Sequence, residues 1–166
     1  GIFSAAKEHF RIFQMQSERD SLPAGVLSNQ PGFSHVCKTG PIAIAALDMR
    51  SERTQDQVMD ESTWKEFYDW LSKLNGCKHL LVMCGIPIVH PDFTPVEKLV
   101  GILPGQYEIE DDLKDHWHTR SHKAERLRFI HRLLGFSAAA DCRVTVLSGD
   151  VHVAAVGVVQ SQRSEG

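Results

Sequence analysis

Three short runs, Ile42 to Leu47, Leu80 to Cys84 and Arg143 to Leu147, are almost continuously apolar, and each gives way to polar residues or glycine. Runs of this length without polar alternation suit strands buried on both faces of a parallel sheet. Stretches with helical spacing lie between them. Trp64, Phe67, Tyr68, Leu71 and Leu74 form one apolar stripe, which Ser62 or Thr63 can cap and Asn75-Gly76 can end. Another helix opens at Thr119 or Ser121, with Leu127, Ile130, Leu133 and Leu134 expected to face inward. A further helix is expected over residues 2 to 16, where Phe3, Ala6, Phe10 and Phe13 keep helical spacing, and a fourth strand from Val153 to Val159. Ser17 to Pro41 and most of Pro91 to Trp117 read as loop. Helices alternating with short apolar strands predict an α/β layered fold.

The chain has 166 residues, 42% hydrophobic and 23% charged, enough for one domain with a real core. A net charge of −3 argues against a strongly basic nucleic-acid-binding face. The acidic residues between Glu97 and Asp115 alternate with apolar ones, which reads as a solvated loop. The four cysteines include no CxxC pair, so neither a zinc ribbon nor a thioredoxin-type motif is supported. Cys84 reads as a buried free thiol. No apolar run approaches the roughly 20 residues needed to span a bilayer. The chain lacks an initiator Met and opens inside a helical pattern, so it is expected to be a fragment.

Ligands gather at the carboxyl ends of strands in open α/β sheets, and three polar clusters follow strand ends here. In Ser148-Gly149-Asp150-Val151-His152, residues two apart on an extended chain project to one side, so Asp150 and His152 can share a cation. The same spacing fits a tight hairpin with an Asx turn at Asp150. In Asp48-Met49-Arg50-Ser51-Glu52-Arg53, two guanidinium forks suit phosphate; the alternative is a surface network of Asp48, Arg50, Glu52, Arg53 and Asp56. His90-Pro91-Asp92 is the third cluster. His116, His118 and His122 include a usable metal spacing but read better as partly exposed histidines at the start of a helix. Trp117 either anchors the long loop or walls a pocket. A Cys84 nucleophile is disfavoured, because nothing beside it would lower its pKa.

In order along the chain stand Leu47 to Arg53, Glu110-Asp111-Asp112-Leu113 with Asp115-His116-Trp117, Glu125-Arg126, and Leu147 to His152. This series resembles PhoD-like alkaline phosphatases of the calcineurin-like metallophosphoesterase superfamily. The resemblance implies a layered β-sandwich flanked by helices, of which residues 1–166 would be the C-terminal portion of a single domain with its upstream half absent. It implies metal-dependent hydrolysis of phosphate mono- or diesters, with two metal ions (iron and calcium, or another divalent pair) in the complete protein. Asp150 and His152 carry over as metal ligands, Asp48 and Arg50 as catalytic residues, and Arg50, Arg53 and Trp117 as substrate-binding residues. The implied partner is a small-molecule, lipid or nucleotide phosphate ester. The superfamily's early Asp-x-His, middle aspartate and Asn/Asp-His segment are not found in this sequence. The alternative is therefore a non-catalytic fragment or degenerate relative that acts as an interaction module.

Overall fold

The computed structural model describes residues 1–17, 24–27, 32–88, 120–149 and 156–160. In chain order they form α1 (Ile2–Phe13), β1 (His35–Thr39), β2 (Ile42–Leu47), α2 (Glu61–Ser72), β3 (His79–Cys84), α3 (Arg120–Ala140) and β4 (Arg143–Ser148). The strands make one four-stranded sheet in the order β1-β2-β3-β4. β1 is antiparallel to β2, while β2, β3 and β4 run parallel. The three apolar runs are the parallel strands, and the chain is α/β.

β1 lies in the stretch expected to be loop. Val36 is its one fully buried side chain, so no apolar run announces it. Thr39 pairs with Ile42, which leaves Gly40-Pro41 as the whole connection. Gly40 has φ +57°, the positive value that a II′ hairpin turn needs at its first central position.

Strand order equals chain order, so both parallel crossovers step the same way across the sheet. Right-handed crossovers in one direction place their helices on one face. Trp64 and Phe67 of α2 both meet Phe129 of α3, with ring centroids 4.9 and 6.0 Å apart. These rings share a core with Ala43, Ala45, Leu80 and Val82, all buried. The expectation of burial on both faces holds for one face only. Ile42, Met83 and Leu147, which point the other way, are 45%, 48% and 51% exposed.

α2 keeps its predicted stripe, but its cap is Asp60, whose Oδ1 accepts the Ser62 N–H at 2.8 Å. On α3 the expected inward face holds at Leu133, which is buried, and at Ile130, which packs against the core, and fails at Leu127. His122, Glu125, Phe129 and Leu133 are buried, whereas Leu127 is 52% exposed. Two positions of the inward stripe are polar, so apolar residues alone trace it incompletely. α1 leaves Ile2 and Phe13 exposed and meets Phe33 through Phe10, ring centroids 4.4 Å apart. Residues 156–160 carry no strand and are exposed, so the described part of the expected Val153 to Val159 strand is corrected to irregular chain.

Candidate functional site at the carboxyl edge of the sheet

Leu47 pairs with Cys84 and Cys84 with Ser148 in parallel register. The chain therefore leaves all three strands at one edge. The Gly149 N–H donates to the Cys84 carbonyl at 3.1 Å. A Cβ on Gly149 would stand 3.2 Å from the Gly85 carbonyl oxygen, so the exits of β3 and β4 run backbone against backbone, a closeness that glycine permits. A Cβ on Gly85 would lie 3.8 Å from Cγ of Arg50. The stem of Arg50 thus passes beside the same glycine.

Asp48 shapes the turn that carries Arg50. Its Oδ1 accepts the N–H groups of Arg50 and Ser51, and its Oδ2 accepts that of Phe33, all at 3.0 Å. Burial alone would raise the Asp48 pKa. Hydrogen bonds from the Ser51 side chain and from the backbone of Ser51, Arg50 and Phe33 outweigh it and hold the carboxyl below its ordinary value. The Arg53 N–H closes the turn onto the Arg50 carbonyl at 3.3 Å. Arg50 is exposed and Arg53 half-buried.

Two buried carboxylates brace the rest of this loop. Glu52 accepts the Asp60 N–H at 2.8 Å and the Thr63 hydroxyl at 3.0 Å, beside the start of α2. Its pKa is raised, first by burial and further by Asp60 and Asp48, against the pull of those hydrogen bonds. Glu125 reaches from α3 to accept Val58 N–H at 2.9 Å, Met59 N–H at 3.1 Å and the Trp64 indole N–H at 2.5 Å. His122, one turn earlier, lies with Nε2 3.2 Å from the Thr54 carbonyl. It is 3% exposed, so the expected partly exposed histidine is corrected to a buried one. α1 brings Lys7 near the loop; desolvation and then Arg11 lower its pKa, while Asp48 and Glu52 pull the other way.

Of the predicted site residues, Asp48, Arg50 and Arg53 come together on one turn. Trp117, Asp150 and His152 lie outside the described residues, as do His90, His116 and His118. Among the described residues no group of three or more His, Cys, Asp or Glu could hold a metal ion. Cys84 is buried, and burial pushes its thiol up to about 12, which disfavours it as the nucleophile of a hydrolytic site. Glu52 and Glu125 stand in the sequence motifs, but their burial and the backbone groups they hold were not expected, and Glu52 is corrected from a surface network to a buried brace. Glu125 had a signal: it sits four before Phe129, in phase with the buried stripe, but its charge hid it.

These features define an α/β chain whose parallel strand exits hold a glycine contact and an arginine-bearing turn. The chain matches the PhoD related phosphatase family over residues 15–106 and 101–165, and it belongs to that family. It is similar to the uncharacterized protein YGR266W of Saccharomyces cerevisiae, 33% identical over 167 residues that cover 80% of this chain and 24% of that protein. The chain thus spans about a quarter of the length of this curated relative. No solved structure matches it. No described helix is long and apolar enough to cross a membrane.

Proposed function

We propose that the protein hydrolyses phosphate mono- or diesters in a metal-dependent reaction, and that this chain is the C-terminal portion of a single metallophosphoesterase domain. One observation carries the reading: in a chain of the PhoD related phosphatase family, three parallel strand exits meet at one edge with Arg50 beside Gly85. Gly149 supports the fit of a metal group there. Its approach to the Gly85 carbonyl leaves little room for a side chain just where the chain leads into Asp150 and His152. A carboxylate and an imidazole are donors that a hard or borderline cation accepts. Asp150 and His152 would be ligands in a two-metal site, with iron and calcium or another divalent pair. Bound there, such metals would polarise phosphate oxygens and lower the pKa of a bound water.

Arg50 is proposed to hold phosphate oxygens and neutralise charge that moves to the leaving group. Arg53, one turn further, would assist, and Trp117 would wall the pocket. Asp48 would serve this reaction through the turn, because backbone N–H groups occupy its carboxylate. The substrate would be a small-molecule, lipid or nucleotide phosphate ester. The layered sandwich is supported by the apolar sheet face that the described helices leave open, since parallel sheets are almost always covered on both faces.

The test combines metal analysis with phosphatase and phosphodiesterase assays on the complete protein. Asp150→Asn and His152→Ala should lower bound metal and activity together and leave thermal unfolding nearly unchanged. Arg50→Ala should keep the metal and lose about ten- to a hundredfold in kcat/KM, the worth of a charge-assisted hydrogen bond. Full metal occupancy in both ligand variants would overturn the site. A metal-loaded wild-type protein that cleaves no phosphate ester would favour the interaction module instead.

A further inference from the structure

Cys77 and Cys142 stand just ahead of β3 and β4, at the amino edge of the sheet, away from Arg50 and Gly149. The strand register brings them together. His79 pairs with Arg143, and the Arg143 N–H donates to the Lys78 carbonyl at 3.0 Å, so the residues before each strand are neighbours. Both are free thiols, both are 2% exposed, and their sulfurs are 3.3 Å apart. The other two cysteines differ: Cys37 is exposed, and Cys84 is buried at the far end of β3.

We propose that Cys77 and Cys142 form an oxidation site, a paired dithiol that peroxide converts into an intrachain disulfide fastening the starts of β3 and β4. The position is independent of the proposed hydrolytic site. In the first step one thiolate sulfur attacks a peroxide oxygen. An S–O bond forms, the O–O bond breaks, and hydroxide leaves to become water. In the second step the other sulfur attacks the sulfenic sulfur. The S–S bond forms, the S–O bond breaks, and a second water departs. Two thiols lose one electron each, and one peroxide is reduced to two waters. The sulfurs must close to about 2.05 Å, a movement that side-chain rotation can supply. The reacting form is the thiolate. Burial, then the neighbouring Cys77, pushes the Cys142 thiol up to about 11. What favours the pair is therefore the contact of its two sulfurs, 3.3 Å apart, and not an abundant thiolate. Both thiols are buried against each other, so the sulfenic acid meets its partner before a second peroxide does.

The experiment is thiol mapping on the purified protein. After incubation with hydrogen peroxide, free thiols are alkylated in denaturant and the protein is digested without reductant for mass spectrometry. The expected product is one cross-linked pair joining the Cys77 and Cys142 peptides, lighter by two hydrogen atoms than the separate thiol peptides and released by dithiothreitol. Hydrogen exchange should slow about tenfold or more over residues 78–80 and 143–145, because the cross-link restrains opening of both strand starts. Recovery of both residues as free thiols, or as separate sulfinic acids, overturns the proposal. So does a cross-link that uses Cys37 or Cys84. Cys142→Ser should abolish both the cross-link and the slowing of exchange; slowing that persists in it would also count against the pair. The mapping on wild-type protein decides the matter even if a variant folds poorly.

Discussion

Alternate residues of the same three parallel strands build the two faces of the sheet, yet the faces end in different surroundings. Under the helices, Ala43, Ala45, Leu80 and Val82 are each 0% exposed. On the other side, Ile42, Met83 and Leu147 are about half exposed, and His79 Nε2 lies 2.8 Å from the Thr145 hydroxyl oxygen. Composition does not make this difference, because both faces are largely apolar. Strand order makes it: crossovers that step in one direction stack α2 and α3 on one side. The covered side uses small alanines on β2, which lets the large rings of Phe67 and Phe129 close on the sheet. The open side keeps large apolar residues with none of the described helices to pack on, and the proposed second layer would cover it.

The comparison is broken most easily at Phe67, which is 0% exposed and touches Trp64, Tyr68 and Phe129. Phe67→Ala should cost about 3–5 kcal/mol, read from the urea midpoint at constant slope. A loss smaller than about 1 kcal/mol would mean that the helices lie loosely on the sheet and that the two faces are alike. Glu125 comes next. Its removal strands the N–H groups of Val58 and Met59 and the indole N–H of Trp64 in a buried place. Each orphaned donor costs about 1–3 kcal/mol, and partial relaxation brings the expected total for Glu125→Ala to about 2–4 kcal/mol. Glu125→Gln keeps an acceptor and should lose less. Fast amide exchange confined to Val58 and Met59 would accompany the Ala variant, and unchanged exchange there would remove the assigned role.

The sequence announced what apolar runs can announce. β2, β3 and β4 were bounded within a residue, because continuous apolar stretches between helical stripes have few other uses. The stripe of α2 was legible for the same reason. β1 was not, because an edge strand buries one side and here buries little more than Val36. The inward face of α3 is legible at Ile130 and Leu133 but not at His122 and Glu125, which occupy core positions by virtue of partners on a distant loop that hydrophobicity cannot reveal. At the candidate site, the common edge was legible from the polar cluster after each strand. The backbone contact of Gly85 with Gly149 was not, because closeness between two glycines depends on the register of β3 against β4.

The covered layer continues beyond β2 as a polar one, and pH should separate its parts. Asp48 has its pKa held below the ordinary 3.8. It therefore adds stability above that value, and the gain disappears as pH falls through the folded-state pKa. Glu52 has its pKa raised from 4.5. Its contribution is complete below 4.5 and is lost as pH rises through the folded-state pKa. Melting temperature followed across acid and neutral pH should show the two limbs. Asp48→Asn should flatten the acid limb, and Glu52→Gln should flatten the limb above 4.5. Profiles parallel to wild type would detach both carboxylates from this account. The effects are smaller than those of Phe67 and Glu125, because Asp48 keeps partial access to water.

The smallest expected effect is the one that tests the open face. Leu147 is 51% exposed in this chain, so Leu147→Ala gives up little burial and should cost less than about 1 kcal/mol here. Val82, its counterpart on the covered face, is 0% exposed, and Val82→Ala should cost about 2 kcal/mol. In the longer protein of which this chain is proposed to be the C-terminal portion, the contrast should narrow. A second layer packed on the open face would bury Leu147 and lift the cost of Leu147→Ala to about 2–4 kcal/mol, while Val82→Ala should be unchanged. The ratio of the two costs, measured by denaturant unfolding in each length of chain, isolates the cover from general effects of size. If Leu147→Ala stays nearly neutral in the complete protein, the open face is solvent-facing there as well, and the layered sandwich proposed for this family member fails at the face that most needs it.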